Sequence, residues 1–468
     1  MRLFMRALYC QLFFILMTHL AAGQTLSKYE PLNYEGGIDS LLRTNHFGNG
    51  VLMDYHDLGI LPEELSDFTA KNNYYLNSLF KSGYIYSNPE IAAFSRKVSD
   101  HLLRDLPDLQ QEIQIFICRD AEANGFSTAN GYVFLTVGLL SRLENEAQLA
   151  FIIAHEIAHF YKNHMALQLN ENLAMRQVRD SYFNRHSTNL NSLRFSRQHE
   201  FDADAVALQF MIASSYDARE ALGSLEAFKP KTAPFRFPID FNKYYDNKEA
   251  GDGIGIDEDR ITLAGIFEDY IDGEDDRYNT HPSLQKRAIS LKEQLENSRY
   301  DPEGKNKFAV SQEEFYATQK IALFEIVELA YNNSSYGESL VYALEAFGHH
   351  KNSQYLALKI IQSIYWLSYY KQIELLENVL PMEGELASAA YDSVYRFVDR
   401  LSYTELKLIA FNLTKEAFSR FPESEELLFH MGFTSQEFLG QEVARFHYRN
   451  YSKKFPQGKY INFVRRQL

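Results

Sequence analysis

The pattern of hydrophobic and polar positions is most informative at residues 149–154, where consecutive apolar side chains leave no polar face. A helix of that kind is buried on all sides. Asn145, followed by Gln148 three residues later, resembles a capping box and places the helix start near Glu146. The pattern therefore predicts a buried helix in the first half of the chain.

Other stretches follow different patterns. Residues 113–118 alternate as a strand does, and residues 132–137 are rich in β-branched and aromatic side chains. Asn130-Gly131 supplies a turn signal between them. The pattern is helical from residue 61 to residue 103, and again from about Ser311 to the end. The predicted fold class is therefore α+β: a mainly helical domain with a small β-sheet, followed by an all-α domain.

The C-terminal helices contain a repeat signal. Phe421-Pro422 and Phe455-Pro456 lie 34 residues apart, which is the period of the tetratricopeptide repeat. The positions between them that this repeat favours hold Leu428, Gly432, Ala444 and Tyr448. A plain helical bundle is the alternative interpretation. Stacked repeats present a concave surface for other polypeptides, so this domain is expected to bind protein partners.

Residues 1–23 have the pattern of a secretory signal peptide. Arg2 and Arg6 are followed by mostly apolar residues 7–17 and by a small-residue cleavage site at Ala21-x-Gly23. This apolar run is too short to span a bilayer, which takes about 20 residues. We therefore expect an exported protein, periplasmic or secreted, whose mature chain has no transmembrane segment.

Net charge and cysteine content argue against some binding partners and against an internal disulfide. The formal net charge is −15, and losing Arg2 and Arg6 with the signal peptide makes it −17. A chain this acidic is not expected to bind nucleic acid or anionic lipid. Cys118 would be the one cysteine left after cleavage, so no internal disulfide is expected. Its place in a strand pattern favours a buried side chain over a nucleophile.

Two histidines at helical spacing follow the apolar run and indicate a metal site. His155 and His159 lie about one turn apart, with Cβ atoms roughly 5–6 Å apart, so both can reach one ion. Imidazole nitrogens bind zinc at about 2.0–2.1 Å. Glu156 can activate a water on the open side of the ion as a general base. The alternative is a helix that carries two histidines by chance.

A zinc site needs a third protein ligand, and the sequence offers a carboxylate. The metzincin pattern fails because Lys162 and Met165 stand where a glycine and a histidine are required. Ser196 opens a second helical pattern that contains Glu200 and, four residues later, Asp204. That spacing suits a ligand and a carboxylate that orients a ligating histidine. A solvated acidic helix face is the alternative.

The two motifs together resemble a known family. His155-Glu156-x-x-His159, with Glu200-x-x-x-Asp204 and Arg197 just upstream, is similar to the gluzincin metallopeptidases of the HtpX-like and Oma-like family. Further positions of that family match Asn124-Gly-Phe-Ser, residues 131–140, His164, Thr280-His281-Pro282 and Arg287. The resemblance covers roughly residues 75–295.

The resemblance implies roles for individual residues. Glu156 would be the catalytic base, and Asp204, with Arg197 nearby, would support the ligands. The ligands of one Zn²⁺ per chain would be His155, His159 and Glu200.

His281 is expected near the zinc on the same resemblance. Because it precedes Pro282, it lies on a stiffened turn. A neutral imidazole there would occupy the fourth position and inhibit the enzyme, whereas a protonated one would stabilise an oxyanion. We favour the inhibitory role, in which His281 gates the zinc, because an exported protease with a broad cleft needs restraint. The structural alternative is a histidine that caps the following helix.

Two more stretches have open interpretations. The spacing of acidic residues in 250–276 matches no EF-hand loop, so a solvated loop is expected in preference to a calcium site. Residues 132–137 are our candidate for a strand edge on which an extended substrate pairs beside the metal. A structural hairpin is the alternative.

The expected domains are a signal peptide (1–23), an extended segment (24–58), a zinc metallopeptidase domain (59–300) and a helical repeat domain (301–468). This order resembles soluble BepA-like periplasmic proteases. It implies hydrolysis of unfolded or misassembled proteins in envelope quality control, peripheral to the outer membrane. The alternative is an adaptor or chaperone with a latent or structural zinc site, against which the intact Glu156 argues. A cytosolic aminopeptidase conflicts with the signal peptide.

Overall fold

The computed structural model describes residues 29–32, 62–86, 89–165, 167–168, 185–229, 235–244, 283–384 and 388–468. Three predicted features lie outside these residues: the signal peptide, His281 and the acidic stretch 250–276. The predicted extended segment 24–58 also lies outside them, apart from residues 29–32. In the described part, no helix is both long and apolar enough to cross a membrane.

The described residues form two compact units. The N-terminal unit comprises those of 32–229 and 270–326, and the C-terminal unit comprises those of 1–31, 230–269 and 327–468. The predicted domain boundary at 300/301 therefore lies inside the N-terminal unit. Both units are mainly helical, and one small sheet lies in the N-terminal unit. This confirms the predicted α+β class.

The N-terminal unit contains the helices that carry the predicted zinc ligands. Its helices are α1 (Pro62–Lys81), α2 (Pro89–Leu102), α3 (Pro107–Glu112), α4 (Val137–Arg142), α5 (Glu146–Tyr161), α6 (Arg185–Ala213), α7 (Glu220–Ser224) and α8 (Leu284–Asn297). Its strands are β1 (Gln114–Cys118), β2 (Gly125–Ser127) and β3 (Tyr132–Thr136). Helix α9 (Gln312–Asn332) begins in this unit and ends in the C-terminal unit.

The three strands form one sheet in the order β1-β3-β2. β3 pairs in parallel with β1, Tyr132 opposite Gln114, and antiparallel with β2, Leu135 opposite Gly125. All five residues of β3 are buried. The prediction that residues 132–137 form a strand edge is therefore wrong, because β3 has a hydrogen-bonded neighbour on each side and no unpaired ladder for a substrate.

The two outer strands differ in what covers them. The backbone beside β1 is paired, since Tyr86 N donates to Ile117 O at 2.9 Å and Arg119 N donates to Tyr84 O at 2.7 Å. Within the described residues, no strand pairs with the outer side of β2. β2 is therefore the edge of this sheet.

Helix α5 forms the centre of the N-terminal unit and is buried from Glu146 to Ala158. It begins where the sequence predicts, because Asn145 is the N-cap and accepts a hydrogen bond from Gln148 N at 3.1 Å. The Gln148 side chain accepts from Glu144 N, so it does not complete the capping box with Asn145. α5 packs against α2, α6, α7 and the sheet.

The fully buried carboxylate of Glu146 ties the start of α5 to the segment before α9. Its Oε1 accepts hydrogen bonds from Tyr216 Oη at 2.5 Å, Ala309 N at 3.0 Å and Val310 N at 2.7 Å. Its Oε2 accepts from Ser311 N at 2.9 Å. Burying a carboxylate costs free energy unless hydrogen bonds satisfy it, and these donors do so.

The described part of the C-terminal unit is all-helical, as predicted. Its helices are α10 (Tyr336–His349), α11 (Gln354–Gln372), α12 (Ala389–Arg400), α13 (Tyr403–Arg420), α14 (Glu425–Phe438), α15 (Gln441–Lys454) and α16 (Ile461–Gln467). It also contains the 3₁₀ turns Phe241–Tyr244 and Leu376–Asn378.

The helices of this unit pack against helices that lie one or two places away in the chain. α10 packs against α11, α14 packs against α15, and α13 contacts both α11 and α14. Gly432 of α14 approaches Tyr448 of α15 so closely that an added Cβ would lie 2.5 Å from the ring. These two residues, both singled out by the repeat pattern, therefore meet in one helical hairpin.

Glu146→Gln should lower the free energy of unfolding by roughly 2–4 kcal/mol, because an amide leaves buried donors unsatisfied at about 1–3 kcal/mol each. Urea unfolding followed by circular dichroism measures the change. Glu144→Gln is the matched control, since Glu144 is exposed beside the same helix start and should change stability by less than about 0.5 kcal/mol. Equal stability of the two variants would contradict the anchoring role of Glu146.

Candidate metal centre

Two packed helices bring the predicted zinc ligands together. His155 and His159 lie one turn apart on α5, and Glu200 lies on α6, which packs along α5. α6 begins at Arg185, eleven residues before the start that Ser196 indicated in the sequence. His155 and Glu200 are buried, and His159 is half-buried.

The three side chains converge at distances that suit one metal ion. Glu200 Oε2 lies 3.5 Å from His155 Nε2, and Glu200 Oε1 lies 3.4 Å from His159 Nε2. The two Nε2 atoms are 3.2 Å apart. Zinc–ligand bonds of about 2.0–2.1 Å in a tetrahedron separate neighbouring ligand atoms by about 3.3 Å. Among the described residues, the donor set therefore supplies three of the four positions of a tetrahedral zinc ion.

Buried Asp204 holds His155 from behind. Asp204 Oδ1 lies 2.9 Å from His155 Nδ1, on the side of the ring away from the converging ligand atoms. When Nδ1 carries the proton and donates it to this carboxylate, the Nε2 lone pair is available to a metal. Burial and Arg287 favour a neutral ring, but the Asp204 and Glu200 carboxylates outweigh them and raise the pKa of His155 to about 9.

Arg287 of α8 keeps Asp204 ionised. Its Nε donates to Asp204 Oδ2 at 2.8 Å and its Nη2 donates to Oδ1 at 2.7 Å, which is a bidentate pair. Burial alone would raise the pKa of Asp204, but the bonds from Arg287 and His155 dominate and hold this pKa below its ordinary value. Arg287 Nη1 also lies 3.6 Å from Glu200 Oε2, so the guanidinium joins both carboxylates.

The sequence predicts Arg197 as a residue that supports the ligands, whereas Arg287 enters the prediction only as a match to the family. Arg197 is half-buried on α6, one turn before Glu200. Arg287, which lies 83 positions after Asp204 in the chain, is an arginine that donates to the Asp204 carboxylate. A role for Arg197 stays a prediction.

His164 supports the second ligating histidine. Its Nδ1 lies 2.9 Å from His159 Nδ1, and its ring stacks on His199 with centroids 4.5 Å apart. Burial, together with the neighbouring His159 and His199 rings, lowers the pKa of His164 to about 3. A neutral imidazole therefore orients His159, as a carboxylate orients His155. His199 belongs to no predicted motif, and its place next to Glu200 is the one sequence feature that points to it.

Glu156 is buried and faces the edge strand β2. A Cβ added at Gly125 would lie 3.5 Å from Glu156 Oε1, so the two residues are close neighbours. Glu156 directly follows His155 on α5, so the helix that carries two candidate ligands also places this carboxylate beside the strand edge. Ser283 is the N-cap of α8 and accepts from Lys286 N at 3.4 Å, so the capping role considered for His281 belongs to Ser283.

Comparison with known proteins agrees with this geometry. The chain is 29% identical over 97 residues to a putative beta-barrel assembly-enhancing protease of Vibrio cholerae, covering 21% of this chain and 20% of that protein. It is 28% identical over 116 residues to the mitochondrial metalloendopeptidase OMA1 of Arabidopsis thaliana, covering 23% and 24%. It is 23% identical over 165 residues to the beta-barrel assembly-enhancing protease of Escherichia coli K12, covering 31% and 34%.

The similarity thus spans between a fifth and about a third of these relatives' own length. Residues 95–295 match the profile of peptidase family M48. That range contains His155, Glu156, His159, Glu200, Asp204 and Arg287. The chain therefore carries a peptidase family M48 domain, with the converging histidines and carboxylates at its centre.

Proposed function

We propose that the chain is a zinc-dependent endopeptidase that hydrolyses peptide bonds of unfolded or misassembled proteins. The observation that carries this proposal is the convergence of His155, His159 and Glu200 beside the buried carboxylate of Glu156. A structural zinc site normally uses four protein ligands, whereas a catalytic site keeps one position for water or substrate. The described residues supply three ligands with a neighbouring carboxylate, which is the donor set of a catalytic site.

The chain's own residues would divide the chemistry among themselves. One bound zinc ion per chain would polarise the scissile carbonyl and acidify water. Glu156 would take the proton of the attacking water and pass it to the leaving amine. Asp204 and His164 would hold the two ligating rings in place, so that both Nε2 atoms stay directed at the ion.

The substrate backbone would pair with β2 rather than with β3. β2 is the sheet edge, and it lies beside Glu156 at Gly125. An extended peptide added to an exposed edge gains main-chain hydrogen bonds and is held straight.

The finer parts of the proposal concern location and recognition. We propose an exported protein of the periplasm that acts in envelope quality control. The signal-peptide pattern of residues 1–23 supports export, and two relatives are named for enhancing beta-barrel assembly. The helices of the C-terminal unit would bind substrate or partner proteins as degenerate tetratricopeptide repeats. His281 would gate the zinc. The alternative function is an adaptor with a latent zinc site, and activity assays distinguish it from a peptidase.

Glu156→Gln should keep about one zinc per chain and lose casein cleavage by at least roughly 100-fold, the usual contribution of a positioned general base. Inductively coupled plasma mass spectrometry measures the zinc, and release of fluorescent casein fragments measures the activity. Glu144→Gln, with an exposed carboxylate, should match wild type in both. Full cleavage by the Glu156 variant would remove the catalytic assignment, and an inactive wild type with bound zinc would favour the adaptor.

Asp204→Asn should weaken zinc affinity by roughly 10–100-fold, because an amide no longer holds the His155 ring as a charged acceptor does. Competition with a fluorescent zinc chelator measures the affinity. Asp202→Asn is the control, since Asp202 is exposed on the same helix and should bind zinc like wild type. If the two variants had the same affinity, the Asp204–His155 contact would have no part in metal binding.

A further inference from the structure

Residues 235–244 lie in a groove of the C-terminal unit, far along the sequence from the helices that form it. The groove is bounded by α11 and α13, with the end of α10 beside them. Only Phe241 and Tyr244 of these ten residues are buried, and the others are half-buried or exposed. A short surface segment with two buried anchors has the form of a bound peptide rather than of a core element.

Aromatic rings anchor the first part of this segment. Phe241 stacks on Phe397 of α12, with centroids 4.7 Å apart and planes 28° apart. Phe237, four residues earlier, contacts the same Phe397 ring at 5.5 Å and contacts Phe241 edge-on at 5.5 Å. The groove therefore receives two aromatic side chains spaced four residues apart on one aromatic platform.

Polar groups fix the second part. Tyr244 Oη donates to Glu416 Oε2 at 2.7 Å, and Lys243 Nζ lies 3.2 Å from the same oxygen. Asn412 Nδ2 donates to the backbone oxygen of Tyr244 at 2.7 Å. One carboxylate and one amide of α13 thus recognise a side-chain hydroxyl, a cation and a backbone carbonyl, which defines both the direction and the register of the segment.

The segment does not fill its groove. A cavity of about 130 Å³ remains beside Pro238, far larger than the roughly 15 Å³ that one water needs. Its lining combines apolar and charged residues, among them Phe347, Ile360, Ile361, Leu413, Glu416 and Arg420. A segment with one more apolar side chain at this position would make contacts that residues 235–244 leave unmade.

We propose that this groove is a recognition site for short polypeptide segments and that residues 235–244, which end in the 3₁₀ turn Phe241–Tyr244, are its internal, displaceable occupant. The partner is a segment of an unfolded protein with two aromatic residues four positions apart and a Lys-Tyr pair after them. This inference deepens the recognition role proposed above for the C-terminal unit, and it does not require the metal centre. While the internal segment is bound, an external one must compete for the same platform.

A fluorescein-labelled peptide with the sequence of residues 235–244 tests the competition in full-length Glu156→Gln protein, which should not cleave it. The intact protein should bind the peptide weakly, because its own segment holds the groove. Phe237→Ala/Phe241→Ala should bind it at least about 10-fold more tightly, since the apparent Kd falls as the unoccupied fraction rises. Fluorescence anisotropy measures both constants.

Two further changes show where the peptide binds. Adding Glu416→Ala to the double variant should weaken peptide binding again by about 5–10-fold, as expected for losing charge-assisted hydrogen bonds worth roughly 1 kcal/mol or more. Phe446→Ala is the matched control, because Phe446 is exposed on α15 outside the groove and should change nothing. Lys243→Ala/Tyr244→Phe loosens the polar end alone, and tests the same competition if the double aromatic variant does not fold.

The outcomes separate this proposal from the proposed function. Two results would overturn the groove proposal. In the first, a folded variant with a loosened segment binds the peptide no better than the intact protein does. In the second, Glu416→Ala does not change peptide binding. If casein is still captured by the Glu156→Gln protein in that case, the recognition role stands without this groove. Tight peptide binding together with an inactive wild type supports the groove and removes the peptidase.

Discussion

The metal centre depends on one buried ion pair, Asp204 with Arg287. Removing either partner would leave the other charge buried without this pairing, so the pair holds α6 and α8 together at this point. The same carboxylate accepts from His155 on α5, and this contact adds a third helix. Three helices distant in sequence are thereby held at one position, and the orientation of a ligand ring follows from that contact rather than from the metal alone.

The far end of α5 has a comparable anchor. Glu146 satisfies its buried charge with backbone amides from the segment before α9, so the start of the helix is fixed by one carboxylate and its metal-binding turn by another. A helix held at both ends cannot slide, which keeps His155 and His159 in register with Glu200. Such preorganisation is what a three-ligand site needs, because a shift of a few tenths of an ångström spoils tetrahedral geometry.

The features that the sequence predicted correctly are those set by local periodicity. The spacing of His155, Glu156 and His159 is a property of one helix, and the Asn145 cap needs only three residues. The role of Arg287 was undervalued because its partner lies 83 positions away and no local pattern links them. The strand edge was misplaced because alternation does not reveal strand order, and the start of α6 was late because its polar first turns carry no apolar period.

Among the described residues, the proposed ligands and the side chains that support them lie on α5, α6 and α8 and at His164, and none of them belongs to residues 235–244. Residues 235–244 instead contact the Phe397 ring and the Glu416 carboxylate of the C-terminal unit. Substitutions in the groove can change which segments it accepts without touching a metal ligand, and the reverse also holds. Under the two proposals made above, the chain separates the geometry of bond cleavage, which tolerates little variation, from the recognition of polypeptides, which can vary with each partner.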